Sequence, residues 1–229
     1  AADGSLVLKL YYDRNSYRVT YEYDGFVPAG ASALPGAADY KYGETVTVAD
    51  EAEALGYKFS GWKADGIAGS EFEMPSQNVT LKGSWTANAD TAYKVEYYYM
   101  KDGKYAAAAD NIVKCTGTTD AVATVTDDDK NPARPGYRFD AAAANVESAP
   151  IAGDGSTTLK VYFKQQLTVS YLPGDHGVFD PVTHEALDYG SLTPAPPLAA
   201  GEVGYQFEGW APALDTKVTA DASYEAQWS

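Results

Sequence analysis

The feature that most constrains this chain is a segment that occurs twice. Gly56-Tyr57-Lys58-Phe59-Ser60-Gly61-Trp62 returns as Gly204-Tyr205-Gln206-Phe207-Glu208-Gly209-Trp210, 148 residues later. The flanks repeat in the same order. Tyr-Gly lies upstream of each copy, at Tyr42-Gly43 and Tyr189-Gly190, and a stretch ending in Trp lies downstream, at Trp85 and Trp228. An alternating segment precedes each, Tyr17-Arg18-Val19-Thr20-Tyr21 and Leu167-Thr168-Val169-Ser170-Tyr171. Several elements in one order at one offset mean two copies of a domain type.

Between them lies a related unit. It opens on Tyr93-Lys94-Val95-Glu96-Tyr97-Tyr98-Tyr99, carries Gly136-Tyr137-Arg138-Phe139 without the following Gly-Trp, and closes on Leu159-Lys160-Val161-Tyr162-Phe163. The first residues fit the same scheme. Asp3-Gly4-Ser5 followed by Leu8-Lys9-Leu10-Tyr11-Tyr12 matches Asp154-Gly155-Ser156 followed by Leu159-Lys160-Val161-Tyr162-Phe163. Residues 1–13 are therefore expected to be the closing strand of a truncated preceding domain of the middle type. The expected organisation is 1–13, then complete domains at 14–88, 89–165 and 166–229, with short linkers around 86–92 and 164–167.

Side-chain periodicity sets the fold class. Tyr17, Val19, Tyr21 and Tyr23 alternate with Arg18, Thr20 and Glu22, the two-residue period of a strand with one buried and one wet face. The closing stretches alternate likewise, at Val79, Leu81, Gly83 and Trp85, and at Tyr224, Ala226 and Trp228. Nineteen Tyr and four Trp against two Met add a strand-favouring bias. The chain is expected to be mainly β with little helix, as three small domains in tandem. The one helical expectation is a single turn over 50–56, with Asp50 as N-cap, Glu53 in the capping-box position and Gly56 at the end. Domains of this size sit near the lower limit for a stable core and are poorly suited to enclosing a deep catalytic cleft.

The alternating first strand, Tyr-Gly, Gly-Tyr-x-Phe-x-Gly-Trp and the closing strand ending in Trp resemble the internalin B-repeat family, over about 14–88 and 166–229. The middle unit resembles the mucin-binding-protein repeats through Val95-Glu96-Tyr97-Tyr98-Tyr99, Gly117-Thr118-Thr119, Gly136-Tyr137-Arg138-Phe139-Asp140 and its closing strand. These resemblances imply a β-grasp-like fold and arrays displayed on Gram-positive surface proteins. The implied location is extracellular, anchored to the cell wall or secreted, with a role in adhesion.

Composition narrows the function classes. A net charge of −15 argues against nucleic acid as a partner, because phosphate binding needs clustered Lys and Arg. The charge is uneven: the last unit holds nine acidic residues and one basic, Lys217, which repels sialylated or sulfated glycans. No run of 18 apolar residues exists to insert in a bilayer.

Candidate chemistry reduces to a few residues. Trp62 and Trp210 suit either sugar stacking or a sheet core, and their periodic context favours core. His176 and His184 match no zinc spacing and read as loop residues. Counted from Asp127, an EF-hand loop would place Pro132 where Gly is required and Arg138 where Glu is required, so the Asp127-Asp128-Asp129 run reads as an acidic loop. The last unit has no asparagine and 89–164 no glutamine, which removes a Lys–Asn isopeptide from the former and a Cys–Gln thioester with Cys115 from the latter. No nucleophile, base and orienting group fall into a catalytic arrangement, so no enzyme activity and no cofactor or metal are expected. The leading expectation is a stalk or spacer whose partners are neighbouring repeats. The alternative is a module in the middle domain that binds a host glycan or glycoprotein, with Tyr98 and Tyr162 as ligand-facing aromatics and Tyr11 as a further solvent-side ring.

Overall fold

The computed structural model describes residues 4–5, 7–67 and 69–229. Among these the chain is all β, with sixteen strands and no helix. Residue proximity divides it into two compact units. The first contains the described residues up to Thr91 with two later loops, Thr118–Asp120 and Ala152–Gly155, and the second contains the rest.

In the first unit the strands are β1 (Ser16–Tyr23), β2 (Ala38–Lys41), β3 (Thr45–Thr47), β4 (Tyr57–Phe59), β5 (Glu71–Glu73), β6 (Val79–Gly83) and β7 (Trp85–Ala87). Strand β1 is central, antiparallel to β2 and parallel to β6, in the register Val19↔Val79 through Tyr23↔Gly83. Strands β3 and β5 pair, as do β4 and β7, both antiparallel. The alternation read from the sequence places Val19, Val79 and Leu81 inside, beside Val46, Phe59, Trp62 and Met74. Gly83 ends the β6 series for a packing reason. A Cβ there would sit 2.0 Å from the Phe59 ring, so only glycine admits the ring.

The helical turn expected over 50–56 does not form. Residues 48–54 are irregular and only Leu55-Gly56 make a turn. Their polar groups have partners that a helix would deny them. The Asp50 carbonyl accepts from Trp62 Nε1 at 2.9 Å, and the Glu53 amide and carbonyl bond to Ser32 at 3.0 and 2.9 Å. Tertiary partners thus outweigh the local capping signal. The two later loops are tied in similarly. Thr119 donates from its amide to the Asn88 carbonyl at 2.9 Å and from its hydroxyl to the Gly56 carbonyl at 2.8 Å. Tyr57 donates to Asp120.

The second unit continues with β8 (Thr91–Tyr99), which starts at the unit boundary, then β9 (Asn111–Gly117), β10 (Val122–Thr124), β11 (Tyr137–Phe139) and β12 (Ser148–Pro150). It is completed by β13 (Thr158–Leu172), β14 (Val182–Asp188), β15 (Phe207–Ala211) and β16 (Ala222–Trp228). Strand β13 organises it. Its first part pairs parallel with β8, from Thr158↔Lys94 to Phe163↔Tyr99, and its last part pairs parallel with β16, from Val169↔Ala222 to Leu172↔Glu225. Strands β11 and β14 add antiparallel partners along its length.

Residues 164–167, expected as a linker, therefore lie in the middle of a 15-residue strand. The inward series Leu159, Val161 and Phe163 resumes beyond the half-buried Gln165 at Leu167, Val169 and Tyr171, each of the six 5% exposed or less. Its first three side chains fill a core with Val95, Tyr99 and Ile151, and its last three a second core with Val218 and Tyr224. Where one core gives way to the other, Arg138 holds Asp188 with Nε at 2.6 Å from Oδ1, and Lys164 Nζ lies 3.8 Å from the same carboxylate. Gln166 donates its amide to the Gly136 carbonyl at 2.8 Å, and Tyr189 donates its amide to the Gln165 carbonyl at 3.0 Å.

The N-terminal segment behaves otherwise. Residues 7–13 form no strand, and Leu8, Leu10 and Tyr12 are 83%, 76% and 84% exposed. Leu6 and residues 1–3 of the expected closing strand lie outside the described residues. The segment joins the first unit at its end, where Arg14 Nη1 donates to the Tyr42 carbonyl and the Tyr42 amide donates to the Asn15 carbonyl, both at 2.9 Å.

Candidate functional site

The candidate ligand-facing aromatics sit on the face of the β8–β13 sheet opposite the core. Tyr98 and Tyr162 are register partners across the parallel ladder, and their rings stack at 4.6 Å and 12°. Tyr105 meets the Tyr162 ring edge-on at 4.9 Å. Tyr98 is consequently 5% exposed, not solvent-facing as expected, because the Tyr162 ring covers it. Tyr162 is half-buried. Cross-strand stacking of this kind is what directly opposed aromatics do on a sheet face.

The polar atoms of this cluster are committed internally. Tyr98 donates its hydroxyl to Glu96 at 2.7 Å, Glu96 pairs with Lys94 Nζ at 2.7 Å, and Tyr105 donates to Asp140 at 2.8 Å. The hydrogen bond to Glu96 pushes the Tyr98 hydroxyl up to about 12, while Lys94 and then Tyr98 hold the Glu96 carboxyl below its ordinary range. Burial and Asp140 push the Tyr105 hydroxyl up as well. Both tyrosine shifts favour the neutral phenol, the opposite of what a phenolate nucleophile needs. Asn145, the neighbouring asparagine, also has structural work. Its Oδ1 accepts from the Tyr162 amide at 3.0 Å and its Nδ2 donates to the Asp140 carbonyl at 2.8 Å.

The four tryptophans differ more than their repeat positions suggest. Trp62 is 7% exposed, set among Tyr21, Tyr23 and Phe59 at ring separations of 5.1, 5.5 and 4.7 Å. Trp210 is only half-buried, against Tyr171, Phe207 and Phe179. The glycine before each has positive φ, +79° at Gly61 and +141° at Gly209, and the second lies at a register shift in the β15–β16 pair. Glycine is needed there because the backbone bends in a region that side chains disfavour. Trp228 donates Nε1 to the Pro173 carbonyl at 2.7 Å, whereas Trp85 Nε1 is buried without a partner.

A concavity of about 820 Å³ in the first unit is open and lined by Ser60, Trp62, Lys63, Thr80 and Lys82 among others. Its tryptophan offers little of its face. His176 stacks on Tyr205 at 3.6 Å and lies 3.1 Å from Glu202, while His184 meets Tyr171 edge-on at 6.1 Å. Among the described residues no three His, Cys, Asp or Glu side chains are grouped to hold a metal ion. Asp129 is occupied by the Thr126 amide and hydroxyl, at 2.8 and 2.7 Å, and by the Tyr97 hydroxyl. Cys115 is half-buried beside the middle core.

What these parts define is a chain of small all-β repeat domains whose aromatic and polar groups serve their own packing. Residues 17–91 match the Listeria-Bacteroides repeat domain. No curated protein sequence matches the chain. Among solved structures, Streptococcal High Identity Repeats in Tandem (SHIRT) domains 3–4 of a streptococcal cell surface protein are similar at 16% identity. The alignment covers 64% of this chain and 96% of that one, with a TM-score of 0.24. At that TM-score the likeness carries no argument about this chain.

Proposed function

We propose that the chain is a non-catalytic spacer segment of a bacterial cell-surface repeat protein, anchored or secreted outside the cell. Its domains divide at about 14–88, 89–165 and 166–229, and its partners are neighbouring repeats. The observation that carries this reading is that the residues best suited to recognition are spent inside the protein. Tyr98 is covered by Tyr162, Trp62 is buried with its N–H bonded, and the Tyr98 and Tyr105 hydroxyls are held by carboxylates. The match of 17–91 to the Listeria-Bacteroides repeat domain supports its place in a bacterial repeat protein.

The competing reading, recognition of a host glycan or glycoprotein by the middle domain, rests on Tyr162 within that domain once Tyr98 is covered, since Tyr11, though 87% exposed, lies outside it in the N-terminal segment. A glycan-array and mucin-binding screen of the 229-residue chain decides between them. The spacer reading expects no binding above a protein of equal charge. Saturable binding abolished by Tyr162→Ala, with melting unchanged, overturns it.

A further inference from the structure

Each domain places the strand by which the chain enters in a parallel ladder with its leaving strand or with the strand just before it. In the first, β1 and β6 pair over five rungs, Val19↔Val79 to Tyr23↔Gly83, and the chain leaves β6 through Ser84 and the three-residue β7, which pairs antiparallel with β4. In the middle, β8 and β13 pair over six, Thr158↔Lys94 to Phe163↔Tyr99. In the last, β13 and β16 pair over four, Val169↔Ala222 to Leu172↔Glu225. Side chains cross-brace these ladders: the Thr20 and Thr80 hydroxyls meet at 3.0 Å, Glu22 pairs with Lys82 at 3.4 Å, Tyr98 stacks on Tyr162, and Tyr171 stacks on Tyr224 at 5.6 Å.

We infer that these ladders are shear clamps and that the chain bears tensile load through its ends. Tension applied at the termini pulls the entering strand of a domain toward its N-terminal end and the leaving strand toward its C-terminal end. For parallel neighbours those pulls are opposed along the strand axes. All rungs are then strained together, and the domain holds until they fail at once. Had the two strands been antiparallel, the same tension would act at one end of the ladder and open its rungs in turn. Parallel ladders suit the task, since their bonds are evenly spaced along the strands and share the load evenly. Because β13 is both the leaving strand of the middle domain and the entering strand of the last, tension passes between those two clamps along one continuous backbone. The rung numbers order the yielding: the last domain first, then the first, then the middle. The inference stands apart from the spacer reading, because a ligand-binding chain with these ladders would resist equally.

Single-molecule force spectroscopy tests it on the 229-residue chain carrying Cys115→Ser. One sample is tethered at its two ends. The other is tethered at Ala92→Cys and Ser156→Cys, two exposed positions at the same end of the β8–β13 ladder. Forced unfolding reads the barrier of the path taken, so tether geometry alone distinguishes shear from peeling. Melting that matches the parent checks that both samples are folded. End-to-end pulling should give discrete ruptures, the last and largest releasing roughly 250 Å, about 70 residues at about 3.5 Å each. The 92/156 tether should open the middle domain at a force several times lower. Equal forces in the two geometries, or end-to-end extension without discrete ruptures, would overturn the inference.

Discussion

Replacing Trp62 by Ala should destabilise the first unit by about 3–5 kcal/mol, the usual loss for truncating a buried tryptophan. The structure says where that loss comes from. The indole is 7% exposed and makes ring contacts with Tyr21, Tyr23 and Phe59, each worth about 0.5–1.5 kcal/mol beyond the area it buries. Its N–H bond to the Asp50 carbonyl adds little, because Asp50 is exposed and its carbonyl can be rehydrated. Trp62→Phe should thus cost only about 1–2 kcal/mol. A domain of this size holds roughly 4–11 kcal/mol in total, so the alanine variant removes a large part of it. At about 4–8 °C per kcal/mol, its melting point should fall by roughly 12–40 °C. Differential scanning calorimetry of the 229-residue chain reads this directly, with the second unit as internal reference. Trp210→Ala, at the equivalent but half-buried position, should cost less, about 2–3 kcal/mol. If Trp62→Ala melts within a few degrees of the parent, the indole is not a core residue and the packing argument fails.

Limited proteolysis should cut first between Val7 and Asp13, which form no strand, while 164–167 resists because β13 is paired there on both sides; early cleavage at 164–167 would contradict the continuous strand. Deleting residues 1–12 should leave the melting of the first unit nearly unchanged while lowering self-association in sedimentation velocity, since Leu8, Leu10 and Tyr12 expose an apolar strip. Acid should weaken the second unit. Arg138 holds the Asp188 carboxyl, and Lys94 with Tyr98 the Glu96 carboxyl, below the ordinary range when folded, so their contribution is present above about pH 4 and lost as pH falls below it. Asp188→Asn should flatten that loss in melts run from pH 6 to pH 2.

Much of the fold was legible because the chain states its period plainly. Val19, Leu81 and Tyr224 were each placed inward by alternation alone, and each is buried. Three readings were not reachable that way. Asp50 and Glu53 carry a genuine capping signal, but Trp62 and Ser32, distant in sequence, take their backbone groups instead. Tyr98 reads as wet from its place in β8, because periodicity assigns a face without saying what covers it. Its cover, Tyr162 with Tyr105 at its edge, comes from two other segments. Trp62 and Trp210 hold one motif position yet differ in burial, since the motif fixes the bend and the surrounding loops fix the cover.

The continuity of β13 could have been found from the sequence. Phe163 and Leu167 are four positions apart, an even step, so both stay on one strand face through Lys164-Gln165-Gln166, and nothing in those residues breaks a strand. Polarity made the three look like a linker, yet polar residues are what a strand shows where neither core claims it. The same test gives the opposite result near the N-terminus. Tyr12 and Tyr17 are five positions apart, an odd step, so a straight strand from Leu8 through Tyr21 would turn one apolar set away from its core. A strand there needs a bulge or a break between Asp13 and Ser16. The structure has a break: β1 begins only at Ser16, and Arg14 and Asn15 bond to Tyr42 instead of continuing a ladder. Parity across a junction, more than its polarity, tells whether one straight strand can serve the apolar sets on both sides of it.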